Sequence, residues 1–421
     1  MTYCFILGRV PSLSLLEIHA VLLREEVLYS SFRYSPEIFI IKTDSVLDLP
    51  TLQRNIGGTI KTAMLYDEEI EATKQDAIVS ALCKLLLSSV SKPNARITFG
   101  LSAYTLSRGD QKVSKRILSS KTLKSIGLKI KKQLRSDDYS IRFVSAEPSL
   151  TLSSVQSVKN GLLDENGKEY ILLEDGKKIR IGSVETVQEF EEYSFRDWQR
   201  PHHEMETGLL PPKVAQVMIN LSGLKPEKGT VLLDPFCGFG TVLQEALLMG
   251  FSTVRGSDID QKNVRATQEN LTWLSGKKSV SFEKDWVIHC DAATLTSCYQ
   301  KNSIDAIITE PYLGPIITRE RTGSLKAIAK ELSQLYIRFF REAFQILKKN
   351  GVIVMVWPVW MDRDVAIFLP LVTDVLGIGY ENKTIPQGLA AILHEKTARG
   401  SLLYHRPGQF VARELFVFQK K

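Results

Sequence analysis

Four apolar runs in the second half of the chain each stop on an acid. Val231-Leu232-Leu233 stops on Asp234, Thr253–Ser257 on Asp258, Trp286–Cys290 on Asp291 and Ile304–Thr309 on Glu310. Parallel strands present their carboxyl ends along one edge, and open α/β sheets bind ligands there. Acids at strand ends also cap helices or face water. For any single acid the two readings weigh equally. Four in succession, the first beside a glycine turn, favour a ligand rich in hydroxyls, amines and positive charge.

The first acid opens the most informative stretch, Asp234-Pro235-Phe236-Cys237-Gly238-Phe239-Gly240-Thr241. It reads as a strand end, a tight turn and a helix start. Glycines there let the backbone approach a ligand closely, because they lack Cβ. A dinucleotide-binding turn needs a third glycine and amides facing phosphate; here the third glycine is missing and a carboxylate comes first. That suits a cationic or amine-bearing ligand, and S-adenosylmethionine, with its methionine ammonium, meets the requirement. The expected cofactor contacts are Asp234, Cys237, Gly238, Gly240 and Thr241 at the turn, Asp258 and Ile259 at the ribose, and Asp291 and Ala292 at the adenine. The acid about twenty residues after the turn is where ribose hydroxyls are commonly held. Glu310 lies beside the entry for a second substrate.

The elements that must position these residues follow a doubly wound rhythm from Lys213 onward. Helices are expected at Val214–Leu221, through Met249, at Asn263–Leu274 and at Ala327–Leu347, and further strands at Val352–Trp357 and Phe410–Phe418. The first ~200 residues read as α+β. Strands are expected at Tyr3–Leu7, Ile38–Lys42, Arg96–Leu101 and Ile141–Val144, and helices at Leu13–Leu28, Ala77–Leu87 and Lys121–Arg135. Asn166-Gly167 reads as a hairpin turn. Residues 190–212, where Glu189, Glu191 and Glu192 lead in and Arg200-Pro201 and Pro211-Pro212 follow, read as a linker.

The 421 residues suffice for two or three domains, with 44% hydrophobic and 24% charged residues. No apolar run approaches a membrane span, and no basic stretch precedes the apolar start, so no membrane partner and a cytoplasmic location are expected. Five cysteines without a Cys-x-x-Cys pair indicate neither a disulfide framework nor a zinc cluster. The net charge is +7, yet Arg108–Arg142 alone holds eleven basic residues against three acids. Such a local excess is the footprint of a phosphate backbone. Lys121, Lys124, Lys131, Lys132 and Arg135, opposite an apolar stripe, are the expected RNA contacts, joined by Arg319 and Arg321 after Glu310.

Weaker features carry less. His202-His203-Glu204 lacks a third ligand at metal spacing, so no metal is expected. Cys237 has no base partner and reads as packing beside the ligand. Trp357 and Trp360 suit base stacking and core packing equally.

Asp234–Thr241 with Gly256-Ser257-Asp258-Ile259-Asp260 closely resembles the motifs of class I S-adenosylmethionine-dependent methyltransferases, in the branch that modifies exocyclic amines of nucleic-acid bases. Arg200-Pro201, Gly208–Gln216 and Arg406–Glu414 resemble segments of THUMP-containing RNA methyltransferases, and Leu152–Val155 with Gly161–Leu163 the end of a THUMP module. Within that group the chain is most similar to the archaeal and eukaryotic tRNA guanosine-10 N2-methyltransferases. The resemblance implies a Rossmann-like methyltransferase domain over 213–421, a THUMP-like RNA-binding domain over 53–189 and a ferredoxin-like module over 1–52. It implies S-adenosylmethionine as cofactor, S-adenosylhomocysteine as product, tRNA as substrate, and a small zinc-binding activator protein as a partner seen in such relatives.

One departure stands out. The family carries Asp-Pro-Pro-Tyr at the fourth strand end; this chain carries Glu310-Pro311-Tyr312-Leu313. By resemblance Glu310, Pro311 and Tyr312 are the catalytic residues. A carboxylate and a backbone carbonyl that both accept from an NH2 group orient its lone pair toward the methyl donor, and an aromatic ring stacks on the base. The same pocket logic serves adenine N6 and cytosine N4, and a fourth motif that has lost turnover would leave a tRNA-binding protein; both alternatives remain open at this point.

Overall fold

The computed structural model describes all residues except 90–95, 107–115, 138, 204–209, 316–324, 363–364 and 406–408. The chain divides into two compact units, residues 1–11 with 27–190, and residues 12–26 with 191–421.

The first unit is built on one eight-stranded sheet. Its strands are β1 (Thr2–Leu7), β2 (Ser31–Ser35), β3 (Ile38–Lys42), β4 (Thr59–Glu71), β5 (Ile97–Thr105), β6 (Ile141–Val144), β7 (Gly167–Asp175) and β8 (Lys178–Val187). Their order is β2-β3-β1-β4-β8-β7-β5-β6, antiparallel until β7, β5 and β6, which run parallel. Strand pairing therefore crosses the expected boundary at residue 52: β1 pairs with β3 on one side and with β4 on the other. Asn166-Gly167 does not turn a hairpin. Gly167 begins β7, and the hairpin comes later at Gly176-Lys177, between Asp175 and Lys178. The parallel β5–β7 pairing needs Gly167 there, since a Cβ would sit 1.6 Å from the Gly161 carbonyl oxygen.

Helix α1 (Pro11–Arg24) falls almost wholly in the second unit, and α2 (Leu49–Asn55), α3 (Gln75–Ser88), α4 (Ser120–Ser136) and α5 (Ser154–Lys159) in the first. On α4 the apolar stripe Leu123, Ile126, Ile130 and Leu134 is buried. Ser119 caps its start by accepting from the Thr122 amide.

The second unit holds a nine-stranded sheet. The elements in order are α6 (Phe190–Trp198), α7 (Pro212–Leu221), β9 (Val231–Asp234), α8 (Thr241–Leu248), β10 (Thr253–Asp258), α9 (Gln261–Lys277), β11 (Val287–His289), β12 (Ile304–Thr309), α10 (Leu325–Ile346), β13 (Leu347–Asp362), β14 (Val365–Phe368), α11 (Val372–Ile378), β15 (Tyr380–Asn382), β16 (Leu402–Tyr404) and β17 (Val411–Lys420). The order is β11-β10-β9-β12-β13-β17-β15, with the first five parallel and β17 antiparallel to β13. It reverses direction of travel between β9 and β12, the switch point where such sheets hold ligands.

The expected linker is helical at its start. Glu191 and Glu192 occupy the first turn of α6, where acids suit the helix dipole. Phe195 stacks on Trp273 at 4.7 Å, and Arg196 pairs with the buried Glu245 at 2.9 Å. Trp357 and Trp360 are fully buried in the core beside α10, so they pack the sheet and offer no face to a base.

Candidate active site

β9, β10 and β12 end on Asp234, just at Asp258 and just before Glu310, and Asp291 follows β11 by two residues. The parallel pairing brings these ends to one edge, as the sequence indicates.

Asp234 is buried at 3% exposure. Its Oδ1 accepts from Thr309 Oγ1 at 2.6 Å and from the Phe236 amide at 3.2 Å. Burial pushes its carboxyl up to about 7, with those hydrogen bonds opposing and the fields of Asp258 and Glu310 adding to the rise. A cation bound beside this carboxylate would offset the cost of burying its charge.

Asp258 ties the turn to the next strand. Its Oδ2 accepts from the Gly238 amide at 3.0 Å, and its Oδ1 from the Asp260 amide at 2.8 Å and Asn263 Nδ2 at 3.2 Å. Gly240 has φ of +82°, and a Cβ there would meet Thr267 Cγ2 at 2.8 Å, so both conformation and space demand glycine. Thr267 in turn donates to the Gly238 carbonyl at 2.6 Å. Cys237 is buried, its thiol pushed up by burial and by the two neighbouring aspartates, which suits packing and not nucleophilic attack.

Asp291 accepts from the Ala293 amide at 2.8 Å, so it caps the short turn that follows. Ala292 is buried, whereas Ile259 is 65% exposed and presents an apolar face at the edge. The five cysteines are not all free thiols as expected: Cys290 and Cys298 form a disulfide. The turn Ala292–Ser297 folds the chain back on itself, and a spacing of eight carries no motif that would announce it.

Glu310 is engaged from across the sheet. Arg413 of β17 grips it with two hydrogen bonds, one from Nε to Oε2 and one from Nη2 to Oε1 at 3.0 Å. β17 runs antiparallel to β13, with Arg413 opposite Pro358. Pro311 is buried and Tyr312 is 56% exposed. The Tyr312 carbonyl accepts from the Tyr336 hydroxyl of α10 at 2.8 Å, which fixes the tetrapeptide backbone.

Arg200 also belongs here. It is 1% exposed, and its Nη1 donates to Thr241 Oγ1 at 2.9 Å, at the start of α8. Burial lowers its pKa, opposed by Asp197 and Glu245. Arg200 and Arg413 were not singled out from sequence as site residues. Each lies inside a segment of family resemblance, which is the only signal in the sequence for them.

In the first unit, Lys121, Lys124, Ser125, Leu128, Lys129, Lys132 and Glu147 line a surface depression along α4. Lys124 pairs with Glu147 at 2.5 Å and Lys129 with Asp76 at 2.9 Å. Lys132 and Arg135 are exposed and Lys131 is half-buried. Arg319 and Arg321 lie outside the described residues. His202 pairs with Glu269 at 2.5 Å, while Glu204 lies outside the described residues. Among the described residues no cluster of three His, Cys, Asp or Glu could hold a metal, and no helix is long and apolar enough to cross a membrane.

The sheet order and the acid-lined edge define a class I, Rossmann-like methyltransferase fold. The family model UPF0020, described as RMKL-like, methyltransferase domain, matches residues 199–365. The tRNA (guanine(10)-N2)-dimethyltransferase of Methanothermobacter thermautotrophicus is 37% identical over 167 residues, 39% of this chain and 44% of that protein. A probable tRNA (guanine(10)-N2)-dimethyltransferase of Methanothermococcus thermolithotrophicus is 34% identical over 142 residues, 34% of this chain and 77% of that one. In fold, the chain is similar to TrmN from Thermus thermophilus, with a TM-score of 0.54, 16% identity and full coverage of both chains. The chain belongs to the tRNA (guanine(10)-N2)-dimethyltransferase family. Its match spans less than half the length of the Methanothermobacter relative.

Proposed function

We propose that this protein transfers methyl from S-adenosylmethionine to the exocyclic N2 amine of a guanosine in tRNA, at position 10 as the relatives' names indicate. The observation that carries the reading is the edge itself: a buried carboxylate, Asp234, beside the glycine turn, with Glu310 held one strand away.

The residues fit the donor's groups. Asp234 takes the ammonium, Asp258 with Ile259 the ribose side, and Asp291 with Ala292 the adenine; Cys237, Gly238, Gly240 and Thr241 shape the floor. When bound, S-adenosylmethionine supplies a methyl on a sulfonium centre that leaves behind a neutral thioether, S-adenosylhomocysteine, with no need of metal activation.

Glu310 and the Pro311 carbonyl accept from the two hydrogens of the target amine, and Tyr312 covers the base. The two hydrogen bonds from Arg413 fix Glu310 in direction, which suits an acceptor whose work is orientation. The extra methylene of Glu310 relative to aspartate is taken up by this grip from β17. A base in a helix must leave its stack to arrive there. The α4 face with Lys121, Lys124, Lys131, Lys132 and Arg135 holds phosphates by charge and shape, not by base sequence; Arg319 and Arg321 would flank the flipped nucleotide. Such an enzyme works in the cytoplasm, and the family pattern admits a small zinc-binding activator.

The test is nucleoside mass spectrometry of unmodified tRNA incubated with the protein and methyl-deuterated donor. Labelled N2-methyl- or N2,N2-dimethylguanosine is expected. Label in N6-methyladenosine or N4-methylcytidine would replace the base assignment. Donor binding without any transfer would leave a tRNA-binding protein in place of an enzyme.

A further inference from the structure

One group of the donor has no side chain assigned to it above: the carboxylate of its methionine part. One buried cation of the protein has donors left unmet among the described residues. Arg200 gives Nη1 to Thr241 Oγ1, but its Nε and Nη2 are buried without a hydrogen-bond partner among the described residues. Unmet donors on a charged group are costly in an interior. Glu245, the buried acid of α8, pairs through Oε1 with Arg196 at 2.9 Å; with Asp197 it opposes the effect of burial on Arg200, but neither acid hydrogen-bonds the two unmet nitrogens among the described residues.

Thr241 is the first residue of α8, and the residue before it, Gly240, supplies no side-chain cap. The leading amides of a helix have no partner within it and carry partial positive charge. A guanidinium with two unmet donors and a helix start without a side-chain cap thus meet at one residue, immediately after the glycine turn. Both call for an anion.

We propose that Arg200, with the start of α8, binds the donor's carboxylate. Asp234 then takes the ammonium on the other side of the turn, and the two ends of an amino acid are read by opposite charges. Arginine suits the task because its planar fork matches a carboxylate. The inference rests on the methyltransferase reading and deepens it.

The test uses the full chain and two ligands that differ only in this group, S-adenosylmethionine and decarboxylated S-adenosylmethionine, with affinities from calorimetry. The wild type is expected to bind the first about tenfold to a hundredfold more tightly. Arg200→Met is expected to erase that preference, weakening the first and leaving the second unchanged, with Arg200→Lys between. Equal affinity of the wild type for both ligands overturns the inference, whether or not the variants fold. So does a variant that weakens both alike. Uptake of neither ligand by the wild type removes the methyltransferase reading itself, and this inference with it.

Discussion

At the residue scale the edge works by pairing each charge with a reason for its burial. Asp234 sits near the neutral range because burial outweighs its two hydrogen bonds. In the proposed site the donor's ammonium binds the ionised form, so at pH 6 binding must first displace a proton. Donor affinity is therefore expected to rise by about fivefold between pH 6 and 7 and by about tenfold in all as it approaches its plateau, with the donor's own α-amine beginning to deprotonate near pH ~8. Asp234→Asn should bind weakly and lose the acidic limb of that profile; calorimetry across pH 5.5–8.5 reads both, and an unaltered limb in the variant would exclude Asp234 as its source. Arg413 makes a second case. Arg413→Lys keeps the charge but loses the fork on Glu310. Turnover is expected to fall by about tenfold or more while donor affinity holds, and unchanged turnover in a methyl-transfer assay would refute a positioning role.

At the scale of elements, close approach matters as much as polarity. Gly167 looks like a turn residue in the sequence, yet it starts β7 with the Gly161 carbonyl where a Cβ would go. Gly167→Ala is expected to destabilise the protein by about 2–4 kcal/mol, because backbone and not a movable side chain is in the way. Gly176→Ala, at the real hairpin, meets no atom within 4 Å and bears only its φ of +61°, an expected cost of about 1–2 kcal/mol. Urea midpoints compare the two, and a smaller loss at Gly167 would contradict this register. The helix α6 shows the same effect: Glu191 and Glu192 look like linker polarity, while Tyr193 and Arg196 just after them are buried.

For the molecule as a whole, charge is distributed unevenly. The basic stretch of the first unit carries an excess of eight, slightly more than the +7 of the entire chain. Association with tRNA should therefore weaken steeply with salt. The double variant Lys121→Gln/Lys132→Gln is expected to reduce the slope of log K against log salt by about 1–2, with donor affinity untouched. Filter binding over a salt series measures it, and an unchanged slope would move the RNA face off α4. Family membership and this charge both accord with the proposed tRNA substrate.

Local pattern was enough to read the Rossmann-like second half, the four strand-end acids, the glycine turn and the basic helix, because each is written in consecutive residues: apolar runs, a punctuating acid, a 3.6-residue stripe. What the chain keeps together only in space stayed hidden. The continuous eight-stranded sheet across residue 52, the grip of Arg413 on Glu310, the approach of Arg200 to Thr241 and the Cys290–Cys298 bond join positions 8 to 126 residues apart. No periodicity records such partners; packing and the burial of charge choose them once the strands have found their order.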